Sequence, residues 1–196
     1  MKINKQLIYI FMLLFVYACG SDEVNIPKPR GYYRIDLPKK EYVTYDSFPG
    51  FSFQYPVYAK VVKEKSDKAG SFGFNIEFNS FSGILYMTYI PIQKNFKQLL
   101  EDQHEYINKH LPKATDVQES KYTKPGKTTF AIAYDIKGST VASPVQFYIT
   151  DSTRNFLRGS LYFNMTPNND SLSPVIDYIR KDIDQLINTL EWKEKR

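Results

Sequence analysis

From Phe51 onward the chain alternates apolar and polar residues in short runs, and only twice does it change period. "FSFQY" sets Phe51, Phe53 and Tyr55 against Ser52 and Gln54, and a second extended run follows Pro56 over 58–64. "GFNIEFNS" repeats the alternation with Phe74, Ile76 and Phe78, and "GILYMTYIPI" continues it. A two-residue period of this kind places one side of each strand on a core. Between these runs, "NSFSG" reads as a hairpin connection whose glycine supplies the turn. Further strands are predicted at 114–123, 128–136, 145–150 and 156–164, with "TKPGKT" and "DSTRN" as turns.

The period lengthens in "KNFKQLLEDQHEYINKHLP". Phe96, Leu99, Leu100, Tyr106, Ile107 and Leu111 recur at helical spacing, and Pro112 stops the run. It lengthens again at the end of the chain, where Val175, Ile176, Ile179, Ile183, Leu186, Ile187 and Leu190 form one stripe. Ser173 is expected as the N-cap of this second helix, with Pro174 at its first position. Asp182 and Asp184, two apart, read as a solvated face. Four strands, a helix, four strands and a helix predict an α+β fold: a single domain over 42–196, with a twisted, mainly antiparallel sheet and two amphipathic helices packed on it.

The N-terminal pattern is different. Residues 7–18, "LIYIFMLLFVYA", are apolar without a break and follow Lys2 and Lys5. As a helix they reach about 18 Å, short of the roughly 30 Å hydrocarbon core, so residues 1–18 read as an export signal rather than a span. The chain's one cysteine follows at once. Val16-Tyr17-Ala18-Cys19 matches the lipobox cleaved before an acylated cysteine in bacterial lipoproteins, which makes Cys19 the expected lipid attachment site. A buried, inert cysteine is the alternative, but it would carry an unpaired thiol into an oxidising compartment. Two or more acyl chains hold a protein firmly at a bilayer, since each buried methylene contributes about 0.8 kcal/mol. Residues 19–41 then read as the acylated start and a polar, proline-punctuated tether. Within it, Arg30, Tyr32, Tyr33 and Arg34 form a candidate partner-contact patch, because Tyr and Arg concentrate at interface hot spots. The alternation over 32–37 also reads as an extended segment that docks its tyrosines on the domain and leaves its charges to water.

Charge and chemistry narrow the remaining choices. The 26 basic and 21 acidic side chains become 24 against 21 once Lys2 and Lys5 are removed with the signal. The signs are interspersed, and no nucleic-acid partner is expected. His104 and His110 are the only histidines, six apart in the first helical run, a spacing that does not converge on one metal. No nucleophile elbow, phosphate loop or dinucleotide fingerprint is present, so no catalytic residue, metal or cofactor is expected. The 16 tyrosines and 14 phenylalanines read first as strand core. A ligand pocket lined by "FSFQY", "FGFNIEF" and "LYF" is the competing reading.

The segment "CGSDE…IPKPRGYYRIDLPKKEY", residues 19–42, resembles the mature start of the GldD gliding-motility lipoproteins of Bacteroidetes. Its Pro27-Lys28-Pro29-Arg30 leads into Tyr33-Arg34-Ile35-Asp36-Leu37-Pro38, as the family's proline-basic segment leads into an aromatic-Arg-hydrophobic-acid run. The resemblance implies a non-enzymatic lipoprotein required for gliding and for the linked type IX secretion apparatus. It would be lipid-anchored at the outer membrane, its periplasmic face favoured over the cell surface, with other envelope proteins as partners. Asp22 and Glu23 resemble the acidic stretch that directs lipoproteins of that phylum to the surface. "DST" at 151–153 and "DSL" at 170–172 resemble its O-glycosylation sites. The element order also looks like the Mog1/PsbP-like fold.

Overall fold

The computed structural model describes residues 34–48, 50–64, 70–123 and 129–193. The expected signal over 1–18, Cys19, most of the tether and the "KPGKT" part of a predicted turn lie outside the described residues. The compact unit that carries the fold begins at Ile35, ahead of the boundary drawn at 42.

Two antiparallel sheets form. β1 (Tyr42–Tyr45), β2 (Phe51–Pro56) and β10 (Glu191–Trp192) make the small one, with β2 central. The large sheet holds β3 (Lys60–Lys63), β4 (Phe72–Phe78), β5 (Gly83–Pro91), β6 (Asp116–Thr123), β7 (Phe130–Lys137), β8 (Val145–Thr150) and β9 (Asn155–Phe163). Its order is β3-β4-β5-β9-β8-β7-β6, two meanders that join where β5 pairs with β9. Helix α1 (Phe96–Asn108) is the crossover between them, and helix α2 (Asn169–Thr189) follows the second. The α+β fold expected from the pattern is therefore the fold observed. β1 and β10, four and two residues long, are the strands that the pattern did not separate.

The strand period explains the layers. Along β8 every residue is buried: Val145, Phe147 and Ile149 face one core, and Tyr148 faces another. The larger core lies between the sheets and α2, where Phe51, Phe53, Phe74, Phe78 and Phe147 are at most 1% exposed. Phe48 sits 4.6 Å, centroid to centroid, from Phe74. The smaller core lies under α1, where Leu99 and Ile107 meet Tyr134, Ile136 and Phe156. The aromatic runs "FSFQY" and "FGFNIEF" are thus filled core.

Three local expectations need correction. α2 starts at Asn169, about a turn before Ser173, and Pro174 lies inside it. Tertiary bonds fix that early turn: the Asn169 amide donates to the Ser139 carbonyl, and its side chain to the carbonyls of Gly138 and Val141, each at 2.9 Å. Secondly, α1 ends at Asn108, so His110 lies beyond the helix, just before the turn Leu111–Lys113 that contains Pro112. Tyr106 and Leu111 fall off the buried stripe, and Gln103 takes a place on it. Thirdly, the left-handed residue of the "NSFSG" connection is Ser82, at φ 50°. Gly83 begins β5 instead, where a Cβ would stand 3.3 Å from Ile179 and Phe163 side chains.

Candidate functional site

Of the residues singled out in the sequence, Cys19, Arg30, Tyr32 and Tyr33 lie outside the described residues, and Arg34 is exposed at their margin. The most elaborate polar cluster in the structure lies a little further along the chain, and its acid is one the sequence placed in solvent. Asp182 is not on a solvated face: its side chain is 1% exposed. It occupies the apolar stripe of α2, three residues after Ile179 and four before Leu186, both buried.

Residues 34–41 form no strand, and side chains fasten this strap to α2. Lys40 Nζ donates to Asp182 Oδ1 at 2.6 Å, to the Tyr178 carbonyl at 2.8 Å and to the Tyr58 hydroxyl at 3.1 Å. The same ammonium stands 3.4 Å from the centre of the Tyr178 ring, a cation–π contact. Tyr42 donates to Asp182 Oδ1 at 2.9 Å, and Tyr58 donates to Asp182 Oδ2. The Tyr178 hydroxyl donates to the Pro38 carbonyl. Ile35 packs against the larger core. Burial pulls the Lys40 ammonium below the usual lysine range, and Asp182 opposes that pull. Burial also raises the Tyr58 and Tyr42 hydroxyls, with the hydrogen bonds to Asp182 adding to it. Both phenols stay protonated donors at neutral pH. The site is a saturated clasp: a buried carboxylate with three donors and one counter-charge.

A second cluster ties α2 to the large sheet. Arg180 Nε meets Asp135 Oδ1 at 2.7 Å and its Nη2 donates to the Tyr122 hydroxyl at 2.9 Å. Its Nη1 pairs with Asp184, which also accepts from Tyr122. Burial opposes the Arg180 charge, but Asp135 and Tyr122 more than compensate and raise its pKa. Asp184, like Asp182, is therefore engaged rather than merely solvated.

Nothing in the described residues assembles catalytic chemistry around the histidines. His104 is exposed on α1, and burial, aided by Lys113, lowers the pKa of His110. No group of three or more metal-ligating side chains occurs among the described residues, and no helix there is long and apolar enough to cross a membrane. Depressions that bear on the competing pocket reading include one of about 250 Å³ beside Tyr122 and Phe130 and one of about 270 Å³ lined by Ile84, Tyr86, Tyr162, Phe163 and Asn164. The tyrosine rings of the latter stand 5.7 Å apart, edge to face.

Fold and site together describe an α+β domain whose most developed polar site fastens its own N-terminal strap. Comparison with known proteins gives that class a family. Residues 22–192 match the family model described as gliding motility lipoprotein GldD, and the chain belongs to that family. It is accordingly a lipoprotein of the membrane-anchored envelope kind, with a role in gliding motility. No curated protein sequence matches the chain. Among solved structures it is similar to the cyanobacterial PsbP (CyanoP) of Synechocystis, at 11% identity and a TM-score of 0.49. That alignment covers 82% of this chain and 98% of the other.

Proposed function

We propose that the protein is a non-enzymatic component of the gliding apparatus and the linked type IX secretion machinery, anchored by acyl chains on Cys19 and acting through protein contacts. The family match over residues 22–192 carries this reading. The matched span begins past Cys19, so the anchor rests on the lipobox Val16-Tyr17-Ala18-Cys19 and the apolar run before it. The outer membrane is the proposed site, with the domain on its periplasmic face. Arg30, Tyr32, Tyr33 and Arg34 are the proposed partner contacts.

Cys19→Ala tests the anchor. Metabolic labelling with a radioactive fatty acid is expected to disappear, and the protein to leave the membrane fraction. Unchanged fractionation of that variant would overturn the anchoring claim. For the contacts, crosslinking in intact cells is expected to capture envelope proteins with the native chain, and to lose them when Tyr32, Tyr33 and Arg34 become alanine.

A further inference from the structure

We propose that the clasp around Asp182 has a mechanical role: a pull on the anchored N-terminus enters the fold there, and opening the clasp lengthens the tether while the core stays folded. The role depends on the anchoring reading only for the origin of the pull; the opening itself is a property of the fold.

The first residues of the compact unit, Ile35 to Glu41, form no strand. Side-chain bonds converging on two residues of α2 hold them. Tyr178 and Asp182 are four apart, one helical turn, and they receive the strap through Pro38 and Lys40, just before Tyr42 of β1 donates to the same carboxylate. Tension arriving from the N-terminus therefore loads α2 before it can shear β1. That helix is a firm footing. It is 21 residues long, and Val175, Ile179, Ile183 and Leu186 hold it on the larger core at 5% exposure or less.

The clasp's chemistry suits reversible opening. In the closed state the attraction between Lys40 and Asp182 is largely offset by the desolvation of both groups. Lifting the strap returns the Lys40 charge to water, while Asp182 keeps the Tyr42 and Tyr58 hydroxyls as donors. The hydrophobic core is not part of that exchange: beyond Ile35, which is only partly buried, the strap adds little to it. Freeing the seven residues Ile35–Glu41 would add up to about 24 Å of tether at roughly 3.4 Å per residue. Local opening of this kind, below the free energy of global unfolding, is how weakly packed segments behave in otherwise stable domains.

The test uses the full mature lipoprotein in lipid nanodiscs. Hydrogen exchange is followed by mass spectrometry in the native protein and in Lys40→Met, Tyr178→Phe and Asp182→Asn. The Val57 amide, which donates to the Glu41 carbonyl at 2.9 Å, and peptides over 35–48 are the reporters. They are expected to exchange about tenfold or more faster in Lys40→Met, while peptides over β8 and α1 keep their protection. Pulling the chain between its two ends in an optical trap is expected to show a step of at most about 24 Å before the main unfolding event. In Lys40→Met that step moves to lower force and the main event stays where it was.

Unchanged exchange over 35–48 in Lys40→Met would overturn the proposal. So would loss of protection that spreads to β8, or a trap record with no early step. If Asp182→Asn does not fold, Lys40→Met and Tyr178→Phe carry the same test. The mass of the N-terminal peptide in the same samples separates the two readings. An unmodified Cys19 beside an independently opening strap sinks the anchor and leaves the opening intact. An acylated Cys19 beside a strap that opens only with the core sinks the clasp alone.

Discussion

Asp151 and Gly159 show how much one side chain, or its absence, decides. Asp151 Oδ1 accepts the amides of Thr153, Arg154 and Asn155 at 2.7–3.0 Å, and Oδ2 accepts the Asn155 side chain at 2.6 Å. Burial alone would raise this carboxyl, but those four bonds outweigh it and hold the pKa below its ordinary value. A depressed folded-state pKa means stability that is present above the unfolded value, near 3.8, and is lost as pH falls through the folded one. Asp151→Ala is expected to destabilise by about 2 kcal/mol or more at neutral pH and to flatten the acid limb of the stability curve. Urea titrations at pH 7 and pH 3 read both effects. Gly159 is a close-approach residue on β9: a Cβ there would stand 2.4 Å from the Phe147 ring and 2.7 Å from the Met87 sulfur. Gly159→Ala should therefore cost about 1–3 kcal/mol, as overpacked cores do, measured as a lowered thermal midpoint. The turn position of Asp151 was legible in "DSTRN"; the crowding at Gly159 was not, because it comes from strands β5 and β8 that alternation alone cannot place side by side.

At the level of elements, periodicity was a sound guide wherever one side of a strand or helix met a single core. The runs at 51–55, 83–92 and 145–150 became β2, β5 and β8, and the stripe Val175 to Leu190 is buried as expected. It misled where tertiary bonds overrode local preference. The side chain of Asn169 extends α2 backwards past Ser173, and Tyr106 leaves the stripe of α1 to lie over Arg158, 4.5 Å from its guanidinium carbon. For the strap, alternation over 32–37 allows an extended segment, but the long-range polar bonds that fasten it, with Lys40 turned inward rather than to water, have no period to read. One signal was available. An acid in the middle of an apolar stripe, as Asp182 is, needs a partner. Helix α1 offers a direct test of the second core. Leu99→Ala removes a side chain 6% exposed, with an expected loss of about 2–4 kcal/mol in chemical denaturation. Far-UV circular dichroism should hold until the cooperative transition.

For the molecule as a whole, anchor and fold are separable on the chain. The compact unit starts at Ile35, well after Cys19. Cys19→Ala should accordingly leave the thermal midpoint within about 1 °C of the native value while changing where the protein is found, a contrast read by calorimetry beside fractionation. Length and composition pointed to one mixed, sheet-rich domain, and that is the scale at which the sequence spoke most clearly. Its functional reading came from the short segment around Cys19, where the lipobox and the proline-basic run sit, rather than from any feature of the folded core.

The small sheet joins the two ends of the domain. Trp192 of β10 lies against Phe51 of β2, ring centres 5.7 Å apart, and the Lys193 amide donates to the Gly50 carbonyl while its ammonium meets Asp46 at 2.5 Å. A nascent chain cannot complete that sheet until Glu191 and Trp192 have been made. The small sheet can therefore close only after every strand of the large sheet has been made.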